Sequence, residues 1–314
     1  MQIIDSLNEL NITSKTAVAL GNFDGVHIGH RKIMHNALEA ASANGFKSLC
    51  FTFSNHPFNF IMDRDVSDPA AIKLICSEEE KIRLIEDMGF DILVNVPFDE
   101  HIMKMRAHDF FEDILSGRLS AGYISVGFNY SYGARAEGNP EMLRDECGRA
   151  GILCSVEDAV MMDGEVVSST LIREMIAGGD MEKAAAYLGR PFTVSGKVEH
   201  GARLGSANGI PTANIAMPDD RLAPPSGVYF TRVLAGGSEY KAVSNLGCKP
   251  TVSDRGIISI ETNVFGWQGD LYEKEISVYF DHFSRPERRF ASQEELFAQI
   301  SRDCEDAVCY HSEH

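Results

Sequence analysis

The spacing of apolar residues changes once along this chain of 314 residues, and that change limits what it can fold into. Over roughly the first 185 residues, short apolar runs alternate with stretches of helical period. Residues 16–20 read as a buried strand, and past Ile28 the residues Ile33, Ala37, Leu38 and Ala41 share one helical face. Residues 48–53 read as a second strand. Ser77 with Glu80 forms a capping-box pattern ahead of Ile82, Leu84, Ile85 and Met88. Further strands are expected at 92–96, 123–126 and 152–156. Strand and helix in alternation imply an α/β domain with a parallel sheet and right-handed crossovers.

From Phe192 onward the runs are short, β-rich and separated by glycine, proline and polar turns. Strands are expected at 192–198, 228–234, 240–243, 257–264 and 275–280, a spacing that suggests an antiparallel barrel or sandwich. One helix closes the chain: Ser292 and Glu295 form a capping box, and Leu296, Ile300, Asp303 with Cys304, and Ala307 set its period. Between the two rhythms, Gly189 and Pro191 would stop a helix. Two domains, 1–186 and 187–314, are therefore expected.

Charge and cysteine usage narrow the class of protein. Twenty-nine Lys plus Arg against 46 Asp plus Glu leave a net charge of −17, which argues against a nucleic-acid partner. Small anions remain acceptable ligands, because local backbone donors and a bound metal override the global sign. The N-terminus has no signal-peptide pattern, and no apolar run reaches the roughly 20 residues of a membrane span. Seven cysteines without a C-x-x-C pair suggest a reducing compartment. A cytoplasmic protein with no membrane partner is expected, either a monomer or a weak homo-oligomer.

Three loops that follow expected strands carry unusual residues, and in an open parallel sheet ligands bind beyond the carboxyl ends of the strands. The first is Gly21-Asn22-Phe23-Asp24-Gly25-Val26-His27-Ile28-Gly29-His30. Its glycines allow close backbone approach, and His27 and His30, three apart on a forming helical turn, can face one phosphate. The second is Ser54-Asn55-His56-Pro57 and the third runs from Gly127 through Asn129 to Gly133. Farther on, Ser168-Ser169-Thr170 place hydroxyls beside the free amides of a helix start, which suits phosphate. Taken alone, H-x-x-H fits an ordinary surface turn equally well. In the β-rich half, Pro211-Thr212-Ala213-Asn214 puts a hydroxyl and an amide oxygen two residues apart, hard ligands fit for Mg²⁺. That segment also reads as a strand-entry turn, and Glu261 as an outward-facing strand carboxylate.

Together these segments resemble the bacterial bifunctional riboflavin kinase/FMN adenylyltransferase (FAD synthetase) family. The first loop resembles the HxGH signature of nucleotidylyltransferases. Thr52-Phe53 with His56-Pro57, residues 126–133, and Val167-Ser168-Ser169-Thr170 with Arg173 follow in family order. Gly201, Arg203 and Gly205, then Gly209 to Asn214, Pro225 to Tyr229, Asn245 to Thr251, Leu271-Tyr272 and Arg285 to Phe290 follow the riboflavin kinase order. The resemblance implies a Rossmann-like N-terminal domain and a six-stranded antiparallel barrel with a terminal helix. It also implies a nucleotide site at Gly21, Phe23, Asp24, Gly25, His27, His30, Ser168, Ser169, Thr170 and Arg173. His56, Pro57 and Asn129 would meet flavin, Thr212 and Asn214 would hold Mg-ATP, and Glu261 would be the base for the riboflavin 5′-hydroxyl. The implied reactions are phosphorylation of riboflavin to FMN and adenylylation of FMN to FAD, both from ATP.

The sequence departs from the family pattern at Asn55, usually proline; at Tyr130 and Tyr132, usually phenylalanine; at Ser131, often basic; and at Glu273, usually glycine. Two other readings stand beside the first: a riboflavin kinase with an impaired adenylyltransferase domain, and a non-catalytic flavin-binding regulatory protein.

Overall fold

The structure, a computed structural model, describes residues 1–199, 212–249 and 257–313. The motif residues 201–211 and 250–251, and the 253–256 loop, lie outside the described residues. The chain divides into two compact units, Met1–Ser169 and Thr170–His314.

The first unit contains β1 (Gln2–Ile4), β2 (Thr16–Leu20), α1 (Ile28–Asn44), β3 (Lys47–Phe53), α2 (Pro57–Ile61), α3 (Glu78–Asp87) and β4 (Ile92–Val96). It continues with α4 (Glu100–Lys104), α5 (Ala107–Asp109), a π-helical run over Phe110–Arg118, β5 (Ala121–Gly127), α6 (Pro140–Ala150) and β6 (Leu153–Glu157), then a small hairpin of β7 (Met161–Met162) and β8 (Glu165–Val166). Its six long strands are all parallel, in the order β1-β4-β3-β2-β5-β6. Sheet faces alternate as the pleat requires. Val18, Leu20, Phe51 and Val94 join one apolar core with Phe111, Ile114 and Leu143. Ala19, Cys50 and Leu93 join another with Ile33, Met34 and Ala37 of α1 and Ile85 of α3. Because both faces are covered, β2 and β4 are buried at every position.

The expected strands are all present, and the bounds expected for β2 and β4 are those observed. Edge strand β1 was not anticipated; three residues are too few to show a period. On α3 the expected apolar stripe differs from the buried pair, Lys81 and Ile85. Lys81 goes under because its ammonium donates to the Phe53 carbonyl. Burial lowers its pKa, and the neighbouring Cys76 and Asp24 oppose that shift.

The second unit begins with α7 (Ser169–Gly178, its first residue shared with the boundary) and α8 (Met181–Leu188). Six antiparallel strands follow: β9 (Phe192–Lys197), β10 (Ala213–Ala216), β11 (Gly227–Ala235), β12 (Ser238–Lys249), β13 (Ile257–Val264) and β14 (Glu275–Pro286). They lie in the order β10-β13-β12-β11-β14-β9. Just past β9, the Glu199 N–H donates to the Asn214 carbonyl at 2.8 Å, bringing the two ends of the sheet together into a near-closed barrel. Phe192, Tyr229 and Phe280 fill its interior with Val194 and Val278.

The closing helix, α9 (Gln293–Glu313), is capped as expected by Ser292, which accepts from the Glu295 N–H. Of its expected face, Asp303 and Ala307 are buried and Leu296, Ile300 and Cys304 half-buried; Gln299 and His311 are buried as well. An ionic seam draws this polar ridge in. Arg285 on β14 holds both Asp303 oxygens, at 2.8 and 2.6 Å, and Gln299 donates to Asp303 while accepting from Arg288. Removing one partner of such a pair leaves the other charge half-buried without a counter-ion. Asp303→Ala should lower the stability of this unit by about 3 kcal/mol; an unchanged urea midpoint for its transition would refute the seam.

Candidate active sites

Strand order reverses at β2, whose neighbours are β3 and β5, and the loops leaving β2 and β5 part around a cleft of about 1100 Å³. Gly21, Asn22, Phe23 and His30 line it from the first loop, and Asn129, Tyr130 and Tyr132 from the loop after β5. An aromatic chain forms its wall. Phe51 touches Phe53 and Phe110, Phe53 touches Phe98, and Phe110 meets Tyr132, which stacks on Tyr130 at 5.7 Å. Such a wall suits a planar aromatic ligand.

The first loop is strained and buried. Phe23 (φ 50°) and Val26 (φ 40°) occupy the left-handed region, which non-glycine residues, β-branched ones above all, rarely adopt. Both are fully buried, so the core against α1 holds the conformation in place. Asp24 points away from the cleft: its carboxylate accepts from the backbone N–H of Ile75 at 3.0 Å and of Cys76. Gly25 donates to the Cys76 sulfur at 3.2 Å. Neither Asp24 nor Gly25 lines the cleft; together they tie the loop down from beneath.

His27 caps α1, its Nδ1 accepting from the His30 N–H at 3.2 Å. That bond leaves Nε2 as the nitrogen bearing the proton of a neutral ring. The two imidazoles stack with centroids 3.5 Å apart, and Phe23 meets His30 edge-on. His30 faces the cleft, whereas His27 is only 5% exposed and is not among the cleft-lining residues. At Gly29 a Cβ would stand 3.1 Å from the His27 ring, close enough that the ring would have to shift.

Among the other sequence-predicted residues, Pro57 lines the cleft and His56 instead caps α2, accepting from the Phe58 N–H. The Ser169 hydroxyl donates to the Asp24 carbonyl at 3.0 Å, a bond within the first unit. Ser168 precedes it, half-buried; Thr170 and Arg173 belong to the second unit.

In the barrel, strand register makes the second site. Asn214 on β10 is paired directly with Glu261 on β13, and Glu261 on its other side with Asn245 on β12. Directly opposed residues share a face, so the three side chains form one polar row. Thr212, two residues before Asn214 and on the same side of an extended chain, accepts through its carbonyl from the Asn214 amide nitrogen at 3.4 Å. A hydroxyl and an amide oxygen are a donor set that Mg²⁺ accepts. Among the described residues, no group of three or more His, Cys, Asp or Glu could hold a metal.

The FAD synthetase family matches residues 9–171, and the riboflavin kinase family matches residues 188–311. The chain belongs to the bifunctional riboflavin kinase/FMN adenylyltransferase family. It is 33% identical to the bifunctional riboflavin kinase/FMN adenylyltransferase of Bacillus subtilis (strain 168), over 95% of this chain and 93% of that one. With the Haemophilus influenzae protein of the same name it shares 30% identity over 99% of both. A crystal structure described as a macrolide-efflux protein from Streptococcus pneumoniae has a TM-score of 0.87 at 26% identity, covering 98% of each chain. Efflux is that protein's description; among the described residues here, no helix is long and apolar enough to cross a membrane.

Three of the departures from the family pattern, Asn55, Tyr132 and Glu273, have polar partners. Asn55 clamps the backbone of Phe98, accepting from its N–H at 2.7 Å and donating to its carbonyl at 3.0 Å. The Tyr132 hydroxyl donates at 2.8 Å to Glu146, a buried carboxylate on α6 that also meets His108. Glu273 takes the left-handed φ of 63° that glycine adopts freely; its N–H donates to Val198, and its carboxylate pairs with Lys197. Asn245 and Glu287 belong to segments that carry the family resemblance, where neither is given a role, whereas Arg106 and Arg135 belong to none. Asn245 sits in a recognised N-x-G segment and donates to Glu287 at 3.2 Å; the two arginines lie in no motif and reach the cleft only by folding. Tyr132→Phe should leave Glu146 one donor short and cost the first unit about 2 kcal/mol. An unfolding midpoint equal to wild type would show that the hydroxyl carries no stability.

Proposed function

We propose that the chain makes FAD from riboflavin in two ATP-dependent steps, adenylylation in residues 1–186 and phosphorylation in residues 187–314. The observation that carries the first is the stacked His27–His30 pair at the start of α1, on the edge of an aromatic cleft at the strand-order reversal. That for the second is the direct pairing of Asn214 with Glu261. A domain boundary near 187 is supported by the two family matches, which end at 171 and resume at 188.

In the cleft, a phosphate oxygen of FMN attacks the α-phosphorus of ATP, a P–O bond forms, and the bond to pyrophosphate breaks. The nucleophile is already an anion, so no covalent enzyme intermediate is needed. The protein's part is alignment and charge stabilisation. His30 donates to the phosphates, and His27, held by the His30 N–H, fixes the orientation of the pair and offers Nε2–H. Gly21, Phe23 and Asn129 border the nucleotide and flavin, Asp24 and Gly25 shape the loop, and Ser168 and Ser169 grip phosphate. His56 and Pro57 bound the flavin end.

In the barrel, Glu261 orients the riboflavin 5′-hydroxyl and accepts its proton as that oxygen takes the γ-phosphoryl group of ATP, leaving ADP. Thr212 and Asn214 would hold Mg²⁺ through their oxygens; when bound, the ion neutralises developing charge on the phosphates. The reading extends to a cytoplasmic protein, a monomer or weak homo-oligomer with no nucleic-acid partner. All seven cysteines are free thiols, which supports a reducing compartment.

Purified protein given riboflavin, ATP and Mg²⁺ should yield FAD on separation of the flavins. FMN alone would indicate an impaired first domain, and unchanged riboflavin a binding protein. His30→Ala should slow FAD formation from FMN by at least about 100-fold and leave FMN formation intact. Glu261→Gln should do the reverse, by about 100-fold or more. Loss of both steps in either folded variant would break the two-site assignment.

A further inference from the structure

Two arginines on one rim of the cleft stand where the backbone favours other residues. Arg106 is the N-cap of α5, a position that favours Ser, Thr, Asp or Asn because a short side chain there accepts a free amide, and it makes no such bond. Arg135 has φ 56° and ψ 28°, the left-handed region that glycine and asparagine enter most readily. Neither position gains local stability from arginine.

The backbones of these two arginines are held against each other. Ala134 donates to the Met105 carbonyl at 2.7 Å, and Ala107 donates to the Glu137 carboxylate at 2.8 Å. At Gly133 a Cβ would stand 2.5 Å from the Ala107 nitrogen, so only glycine permits the approach. The residues on both sides of Arg106 are therefore tied to the segment that carries Arg135. Both side chains line the cleft, both are exposed, and neither forms a hydrogen bond or ion pair through its guanidinium among the described residues. The nearby charges are accounted for: Lys104 pairs with Glu100, and Glu137 accepts from Ala107. Ser131, exposed on the same cleft, adds no cation.

A chain of net charge −17 repels anions at long range, so an anionic substrate needs local cations. Guanidinium forks match phosphate oxygens two at a time. We infer that Arg106 and Arg135 together form a phosphate grip on the rim of the cleft, supplying from two other positions the charge that Ser131 lacks. The phosphate is that of FMN or of ATP. This inference rests on the reading of the cleft as the adenylyl-transfer site.

The test uses the full chain and the variants R106Q, R135Q and R106Q/R135Q, with R106K/R135K to restore charge. The double glutamine variant should raise the KM of one phosphate substrate by about tenfold or more. It should also flatten the dependence of that KM on salt, and the lysine variant should recover part of both. A rise confined to FMN assigns the grip to the flavin phosphate; a rise confined to ATP assigns it to the triphosphate. Riboflavin, which has no phosphate, should bind with unchanged affinity, and the thermal transition of the first unit should match wild type. Both KM values within about twofold of wild type would overturn the grip. If wild-type protein makes no FAD from FMN and ATP, the adenylyl-transfer reading fails instead. Equilibrium titrations of wild type and variant with FMN, ATP and riboflavin then decide the grip, and unchanged FMN and ATP affinities reject it.

Discussion

Beneath the signature loop, the carboxylate of Asp24 accepts from the backbone of Ile75 and Cys76, and the geometry of the cleft depends on that anchorage. With Asp24 held down and Phe23 and Val26 buried in left-handed conformations, the chain turns sharply enough to start α1 at Ile28. The His27 cap and the His27–His30 stack follow from where that helix begins. The Ser169 hydroxyl donates to the carbonyl of the same Asp24, so Ser169 and the signature loop share one anchor. Burying a carboxylate is costly unless it is fully bonded, and here its bonds are also what fix the loop.

The barrel reaches precision by another route. Strand pairing puts Glu261 between Asn214 and Asn245 without a strained backbone, because register alone decides which side chains are neighbours. The hydroxyls of Thr231, Ser244 and Thr262 bond to one another at 2.8 Å, so polar residues in the wall satisfy each other. Outside, the Arg285–Asp303 pair draws the polar ridge of α9 inward and fixes the helix against β14. The ionic contact explains why Gln299 is buried beside the expected Asp303 and Ala307.

Several expectations met the structure closely. The expected bounds of β2, β4 and β13 are those observed, because long apolar or β-branched runs bounded by turns leave little latitude. The caps at Ser77 and Ser292 are legible for the same reason: the acceptor and the amide it serves lie three residues apart. β1 and β10, of three and four residues, show no period and are strands only because a neighbour pairs with them. The burial of Lys81 is not legible in the sequence, since no local pattern reveals that the Phe53 carbonyl lies within its reach.

The sequence by itself determined the two fold classes, the order of elements and the motif residues, because these depend on spacing along the chain. Only the tertiary structure decided which motif residues line the cleft: His30 and Asn129 do, while Asp24 and Gly25 anchor the loop from behind. It also brought Asn214 opposite Glu261 and tied the segment of Arg106 to that of Arg135, across 46 and 28 intervening residues. Such pairings depend on register and loop closure, which are properties of the folded sheet rather than of any local run of residues.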